Sequence, residues 1–380
     1  MRDVFIKGIG ITKWGYYEDK SCHDFGAEAI ILALRDAEMS WHDIQAVFCG
    51  SVYQGTGSGH QTIKQVGLTG IPIVNVENAC SSGSSAFRLA YQSVAADLYD
   101  VVLAFGMEKM PRGPIPSTAF RDWELRLGFN LQPANYALMT QTYMQKTGIT
   151  VEDFSLVTVK NRKYGASNPN ARFQQPVLLE EILHSRSVSH PLRLLHCCPL
   201  ADGAAAFVLS NKKKAGNKNT SVKIACSVLT SGVYGEEYPP AGMIASLKYP
   251  ANYSLTQLAA KQAYEISGFG PEDIDVAQVY DPVAPSELWE IEELGFCEEG
   301  EAARLLRQGV FDLDGKLPVN TDGGLLARGH PLGATACGQI YELVLQLRGH
   351  AGSRQVNAAE IGLAHAMGAG PNSSLTILTS

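Results

Sequence analysis

Five side chains in this sequence have the types and settings to do chemistry: Cys80, Tyr280, Asp281, His330 and His365. Cys80 follows the run VNVENA and precedes Ser81-Ser82-Gly83-Ser84-Ser85. That places it at the start of a helix of small residues, where unpaired backbone N–H groups and the positive end of the helix field favour a thiolate. It reads either as a nucleophile open to a thioester or as a buried structural cysteine, the commoner fate of this residue type. His330 lies in NTDGGLLARGHPLGAT, residues 320–335, whose glycines at 323, 324, 329 and 333 permit tight turns and close backbone approach. Such a histidine suits proton transfer or the holding of an oxyanion, with a packing role open beside these. His365 stands in LAHAMGAGPN, where a strand over 361–364 is expected to deliver it to a glycine-rich loop. It could deprotonate a thiol or pair with backbone in the core. Tyr280 could serve as acid or base, although its ordinary pKa of about 10 demands a supportive setting. Asp281 could orient a neighbour or cap the helix expected to start near Pro285.

The elements that must position these residues read as α/β. Strands are expected over 4–11, 46–49, 72–76, 101–104, 222–229 and 274–279, with helices over 24–38 and 83–96, and such alternation argues for a layered fold. An internal repeat supports this. AEAIILALRDAEMSWHDIQAV from Ala27 parallels LAAKQAYEISGFGPEDIDVAQV from Leu258, each a helix, a break and an acidic-Ile step into a strand. Ser40 with Asp43, and Pro271 with Asp273, read as matching capped turns. CSSGSSA, 80–86, aligns with HPLGATA, 330–336, and VVLAFGM, 101–107, with IGLAHAM, 361–367. The alignment puts Cys80 and His330 in the same slot. Two similar halves packed about a pseudo-twofold axis would bring that cysteine and histidine into one pocket.

Composition narrows the classes further. The 380 residues are 45% hydrophobic and 18% charged, the profile of a globular enzyme rather than a disordered chain. A net charge of -7 lends no support to nucleic-acid binding. Asp3 and Lys7 break the apolar run that a signal peptide needs, and no window suits a membrane span. The eight cysteines include no CxxC pair, so zinc-ribbon and disulfide-scaffold readings lack their spacing, and reduced thiols in the cytoplasm are expected. SNKKKAGNKNTS, 210–221, reads as a solvated linker.

Four stretches carry a resemblance: NACSSGSSA around Cys80, HCCPLADGAAAFVLS from His196, NTDGGLLARGHPLGAT around His330 and AHAMGAG around His365. The chain resembles the thiolase superfamily over nearly its whole length, and within it the sterol-carrier-protein, lipid-transfer-type branch. The resemblance implies a five-layer α/β fold of two similar halves: residues 1–110 with 192–210 as the first, 222–380 as the second, a linker at 211–221 and an inserted loop domain at 111–191. Arg112, Arg121, Arg126, Lys160, Arg162, Lys163 and Arg172 of the insertion fit a lid that faces substrate, and Phe120, Trp123, Phe129 and Tyr136 suit a bulky aromatic or alicyclic acyl group or pack the lid. Coenzyme A is implied as a substrate, not a tightly bound cofactor, bordered by Gly329, Gly368, Gly370 and Arg162, and no metal is implied. A homodimer core is implied, with a separate OB-fold, zinc-ribbon subunit as a further partner.

The implied mechanism is attack of the Cys80 thiolate on a 3-oxoacyl-CoA, with His330 holding the oxyanion and an acyl-enzyme passed to CoA, or the reverse condensation. Two positions depart from the family. Common thiolases have Asn-Glu at Tyr280-Asp281, the sterol-carrier branch has His-Asp-Cys there, and this chain has Tyr280-Asp281-Pro282. The acid/base cysteine that common thiolases place near the C-terminal glycine-rich loop is His365 here. Both usual places for a second catalytic cysteine are therefore taken, which leaves Tyr280 or His365 for its work. The same departure raises two alternatives: an aldolase that splits a β-hydroxyacyl-CoA with Tyr280 as acid/base, and a non-catalytic scaffold or lipid-binding subunit.

Overall fold

In the computed structural model the described residues are 2–113, 122–126, 131–212, 221–232, 253–369 and 371–380. The strands are β1 (Phe5–Ile11), β2 (Ala46–Gly50), β3 (Ile73–Val76), β4 (Val101–Glu108), β5 (Ser187–Ser189), β6 (Leu192–Arg193), β7 (Gly203–Ser210), β8 (Val222–Ser231), β9 (Val276–Gln278), β10 (Ile361–Gly368) and β11 (Asn372–Thr379). The helices are α1 (Cys22–Ala37), α2 (Ser58–Val66), α3 (Ser82–Ala95), α4 (Asp122–Arg126), α5 (Gln132–Thr147), α6 (Val151–Gly165), α7 (Leu179–His184), α8 (Leu255–Ser267), α9 (Ala284–Glu293), α10 (Ala302–Arg307), α11 (Gly324–Arg328) and α12 (Thr335–Arg348).

The main sheet runs β3-β2-β4-β7-β1-β8-β11-β10-β9. Its two halves join through an antiparallel pairing of Phe5 with Lys223 and Ile6 with Val222. Reading outward from that seam, β1, β7, β4, β2 and β3 match β8, β11, β10, β9 and a parallel bridge of Ala277 with Val319. The strand period of two sorts side chains between layers. Leu103 and Phe105 of β4 pack outward on Phe25, Ile30 and Ala33 of α1. Val102 and Ala104 pack inward with Phe87 and Val94 of α3, Ile340 and Val344 of α12, and Ala364 and Leu378 of the other half-sheet. Cys226, Leu363, Leu375 and Ile377 pack outward on Ala259 and Ala263 of α8. Helix, sheet, paired helices, sheet and helix make the five layers that the resemblance implied.

The repeat holds down to single hydrogen bonds. The Ser40 N–H donates to Asp43 Oδ2 at 2.8 Å, and the Gly270 N–H donates to Asp273 Oδ2 at 2.7 Å. One alignment shifts. A 3-10 turn, Ala79–Ser81, leads into α3, and the matching turn before α12 is Leu332–Ala334. By that register Gly333, not His330, occupies the slot of Cys80. Close packing explains why. A Cβ on Gly83 would lie 2.6 Å from the Gly333 carbonyl oxygen, and a Cβ on Gly333 would lie 2.6 Å from that of Met107. The two turns touch, and a side chain on Gly333 has no room.

Strands β4 and β7 are antiparallel neighbours, so the 94 residues between them, 109–202, leave the sheet and return to it. They carry α4 to α7 and the β5–β6 hairpin. Arg121, Phe120, Phe129 and Gly370, and most of the 211–221 segment, lie outside the described residues.

Candidate active site

The turn that carries Cys80 is built by its serines. The Ser82 hydroxyl donates to the Ala79 carbonyl at 2.6 Å and accepts from the Asn78 N–H at 2.9 Å. The Ser81 hydroxyl donates to the Ala366 carbonyl at 3.3 Å, tying the turn to the other half. Ala79 is held at φ 49°, a left-handed conformation costing an alanine about 1–2 kcal/mol. Gly368 is required beside it, since a Cβ there would lie 2.3 Å from the Asn78 carbonyl oxygen.

Tyr280 follows β9 and turns its ring toward Cys80. Its hydroxyl lies 3.3 Å from His330 Nε2, and Cys80 packs against the apolar cluster that holds the ring. The two rings meet edge to face, with centroids 5.7 Å apart. His330 Nδ1 lies 2.7 Å from Thr335 Oγ1, and the His330 N–H donates to the Pro199 carbonyl at 3.0 Å. The Thr335 hydroxyl donates to the Pro331 carbonyl at 2.9 Å, so it accepts from His330 Nδ1–H and leaves Nε2 as acceptor toward the Tyr280 hydroxyl. Burial, with the neighbouring Cys80 and Cys198, holds Tyr136 of α5 well above the ordinary 10, and Tyr280 acts against this. Leu255, Leu325, Ala336, Ala366 and Met367 form an apolar wall with Tyr280, against which Cys80, Cys198 and Leu258 pack.

The electrostatics depart from the expected thiolate. Burial pushes the Cys80 thiol up to about 11, and the Glu108 carboxylate adds to this, against the lowering by the Tyr280 hydroxyl and the backbone. Burial, with the charge of Arg328, drives His330 down to about 3, so its imidazole is neutral at physiological pH. Burial and the neighbouring Cys80 hold Tyr280 well above its ordinary 10, as a phenol. The resting site is therefore a set of neutral groups joined by hydrogen bonds.

Asp281 is brought near the site but not into it. Its carboxylate accepts from the Leu325 N–H at 2.7 Å, the Leu326 N–H at 3.3 Å and Asn161 Nδ2 at 2.8 Å. It thus caps α11, the short helix that leads to His330. Gly324, at φ 56°, is needed there, because a Cβ would lie 2.3 Å from the Asp281 carboxylate. Arg328 is buried, paired with Asp322, and donates to the Thr335 carbonyl at 3.3 Å. Glu108 is buried across the seam and accepts from the Val52, Tyr53 and Gly333 N–H groups at 2.9, 3.0 and 3.0 Å.

His365 is not brought to Cys80. The ladder with β11 continues through His365–Leu375 to Gly368–Asn372, so His365 sits inside a strand and not in a loop. Its ring turns toward α8 and α9. Nε2 lies 3.3 Å from Thr256 Oγ1 and 3.1 Å from Ser373 Oγ, and Nδ1 lies 3.6 Å from Glu290 Oε2. Burial takes His365 down to about 3 and Glu290 up to about 8.

The cations of the excursion are mostly committed. Lys160 is buried against Glu287 at 3.0 Å, the reverse of a lid residue facing ligand. Arg162 donates to the Gln175 carbonyl at 3.2 Å and stacks on Phe173 at 4.2 Å. Arg112 pairs with Asp202 at 3.0 Å, and Arg172 lies over Phe173. Lys163 and Arg126 are exposed. Gly329, at φ 107°, serves close packing on Ala201, where a Cβ would lie 2.7 Å from its methyl. Among the described residues, no group of three or more His, Cys, Asp or Glu is placed to hold a metal ion, and no helix is long and apolar enough to cross a membrane.

Sequence reasoning saw Tyr136 only as an aromatic wall and gave no chemical role to Cys198, Glu290 or Thr335. No local motif marks Tyr136 or Glu290. The signal for Cys198 was its place in HCCPLADG, and for Thr335 its spacing of five from His330.

A cysteine at a helix N-terminus and a histidine from the second of two stacked α/β halves, both neighbours of Tyr280, define a thiolase-type enzyme of acyl-CoA chemistry. Residues 7–213 match the family described as "Thiolase, N-terminal domain" and residues 243–380 that described as "Thiolase C-terminal domain-like". The chain belongs to the thiolase superfamily, in its sterol-carrier, lipid-transfer-type branch. It is 37% identical to an acetyl-CoA acetyltransferase of Methanothermobacter thermautotrophicus, covering 97% of each chain. It is 36% identical to sterol carrier protein 2 of Bos taurus, over 97% of this chain and 70% of that protein. A solved structure named Ltp2-ChsH2(DUF35) aldolase aligns at a TM-score of 0.84 and 28% identity, covering 100% of this chain and 98% of that one.

Proposed function

We propose that this thiolase-type enzyme acts on an acyl-CoA by retro-aldol cleavage of a β-hydroxyacyl-CoA, the bond between the α and β carbons breaking to give a carbonyl compound and a shortened acyl-CoA. The observation that carries this reading is the position of the Tyr280 hydroxyl, 3.3 Å from His330 Nε2 in the cluster against which Cys80 packs, where burial keeps the thiol protonated. The substrate β-hydroxyl gives its proton to Tyr280 as Tyr280 passes its own to His330. The electron pair of the breaking bond moves into the thioester as an enolate, and the β-oxygen becomes a carbonyl. The likeness to the Ltp2-ChsH2(DUF35) aldolase supports the same chemistry.

A second reading keeps the nucleophile. Cys80 stands on a strained turn at the N-terminus of α3 and packs against the Tyr280 cluster, and the acetyltransferase relative supports acyl transfer through it to CoA. The first experiment therefore supplies β-hydroxyacyl-CoA and 3-oxoacyl-CoA in parallel, without free CoA, and measures products and intact mass. Release of an aldehyde or ketone from the hydroxy form supports the aldolase. A Cys80 acyl adduct from the oxo form, with no cleavage of the hydroxy form, refutes it in favour of thiolysis. The reading includes a homodimer core, and the name of that aldolase, which includes DUF35, supports a DUF35-type partner subunit. All eight cysteines are free, which supports a reducing compartment such as the cytoplasm. We keep the insertion as a lid over the substrate.

A further inference from the structure

Cleavage of the α–β bond leaves an enolate, and its α-carbon must gain a proton. The two places where a second cysteine would do this hold Pro282 and His365, and His365 is turned to α8 and α9. A thiol nevertheless reaches the site from a third place. Cys197 and Cys198 are adjacent in an extended segment, so their side chains point opposite ways. Cys197 packs on the outer core of α5, α8 and α9, and its Sγ lies 3.6 Å from the Arg193 carbonyl oxygen. Cys198 packs instead on the Tyr280 wall beside Cys80. The backbone fixes that choice: the Cys198 N–H donates to the Pro282 carbonyl at 2.9 Å, and the His330 N–H donates to that of Pro199 at 3.0 Å. One short segment is thus pinned to the loop that carries Tyr280 on one side and to His330 on the other. Cys198 is half-buried, as Cys80 is, and both pack against the same Tyr280 cluster.

We propose that Cys198 is the acid that protonates the α-carbon of the enolate, a role that rests on the acyl-CoA reading above and serves either version of it. The Cys198 S–H bond breaks and a C–H bond forms at the α-carbon, the electron pair of the enolate making that bond and the S–H pair staying on sulfur. The thiolate then regains a proton through Tyr280, which packs in the same cluster and holds the proton taken from the β-oxygen in the relay with His330. Burial among apolar groups, Cys197 and Asp281 raises the Cys198 thiol well above 9, which keeps it protonated for this task.

The reverse of the step is α-proton exchange, which needs no bond cleavage. Propionyl-CoA is incubated with the protein in D2O, and deuterium at the α-carbon is followed by mass spectrometry. Wild type incorporates deuterium, Cys198→Ala and Cys198→Ser lose about 100-fold in rate, and Cys197→Ala keeps it. Melting curves of both Cys198 variants establish that they fold, and Ser, close in shape but a far weaker acid, separates acidity from packing. Exchange at the wild-type rate in folded Cys198 variants overturns the assignment and leaves the acyl-CoA reading intact. A wild type that neither exchanges propionyl-CoA nor cleaves any β-hydroxyacyl-CoA or 3-oxoacyl-CoA overturns that reading, and the role of Cys198 with it.

Discussion

The turns before α3 and α12 are built alike and used differently. In the first half the turn carries Cys80 on a strained backbone whose serines hold it from both sides. In the second half the same slot is Gly333, and the histidine comes three residues earlier, fixed by Thr335 and by the Pro199 carbonyl. Had both turns carried side chains in that slot, the halves could not meet, because Gly83 and Gly333 already press on each other's surroundings. The lesson is that the duplicated scaffold supplies two convergent helix ends, and steric exclusion at the meeting point decides which half presents a reactive group there. The half that gave up its slot supplies groups from the flanks: His330 before the turn and Tyr280 after β9.

Three variants would break or sharpen this contrast. The largest effect is expected for Tyr280→Phe, which removes the hydroxyl linking the two flanks. A loss of about 1,000-fold in kcat, with the melting temperature kept, is expected from a general acid/base group, and steady-state turnover of the β-hydroxyacyl-CoA panel measures it. Retention of a tenth or more of wild-type kcat would make Tyr280 a packing residue. Asp281→Ala comes next. It strands the Leu325 and Leu326 N–H groups and Asn161 Nδ2, costing roughly 3 kcal/mol at about 1 kcal/mol or more for each buried group. Urea unfolding reads this, and activity should fall as α11 loosens under His330.

The smallest effect concerns the pair that stands apart from the meeting point. Glu290 rises from its ordinary 4.5 to about 8 on burial, facing His365, while Tyr136 of α5 feels its charge. Between those values the unfolded chain has released this proton and the folded chain retains it, so Glu290 makes stability fall as pH rises from 4.5 toward 8. Glu290→Gln should flatten that slope, measured as unfolding free energy at pH 5 and pH 8. An unchanged slope would show that Glu290 is ionised in the fold.

Much of this was legible in the residues. Alternating apolar runs marked the strands, the acidic-Ile step marked the matched turns at Asp43 and Asp273, and the small residues after Cys80 marked a helix packed in the core. These are local patterns, written in neighbouring residues by the periods of strand and helix. That the two halves meet at matching helix starts was also legible, through the repeat. The register of the second turn was not, because Pro331 and Gly333 admit several local paths and only contact with Gly83 selects one.

Side-chain direction and environment belonged to the tertiary structure. His365 looked like a loop residue until the β11 ladder carried the strand past it and turned its ring to Glu290. Lys160 looked like a lid cation until Glu287, 127 residues away, took it into the core. Cys80 looked like a thiolate from its helix end alone, yet desolvation by both halves outweighs that field and keeps the thiol protonated. Residue order determined which elements form and which reactive groups exist. Packing between elements far apart in the chain decided which groups meet and in what protonation state, because burial and long-range contacts set both.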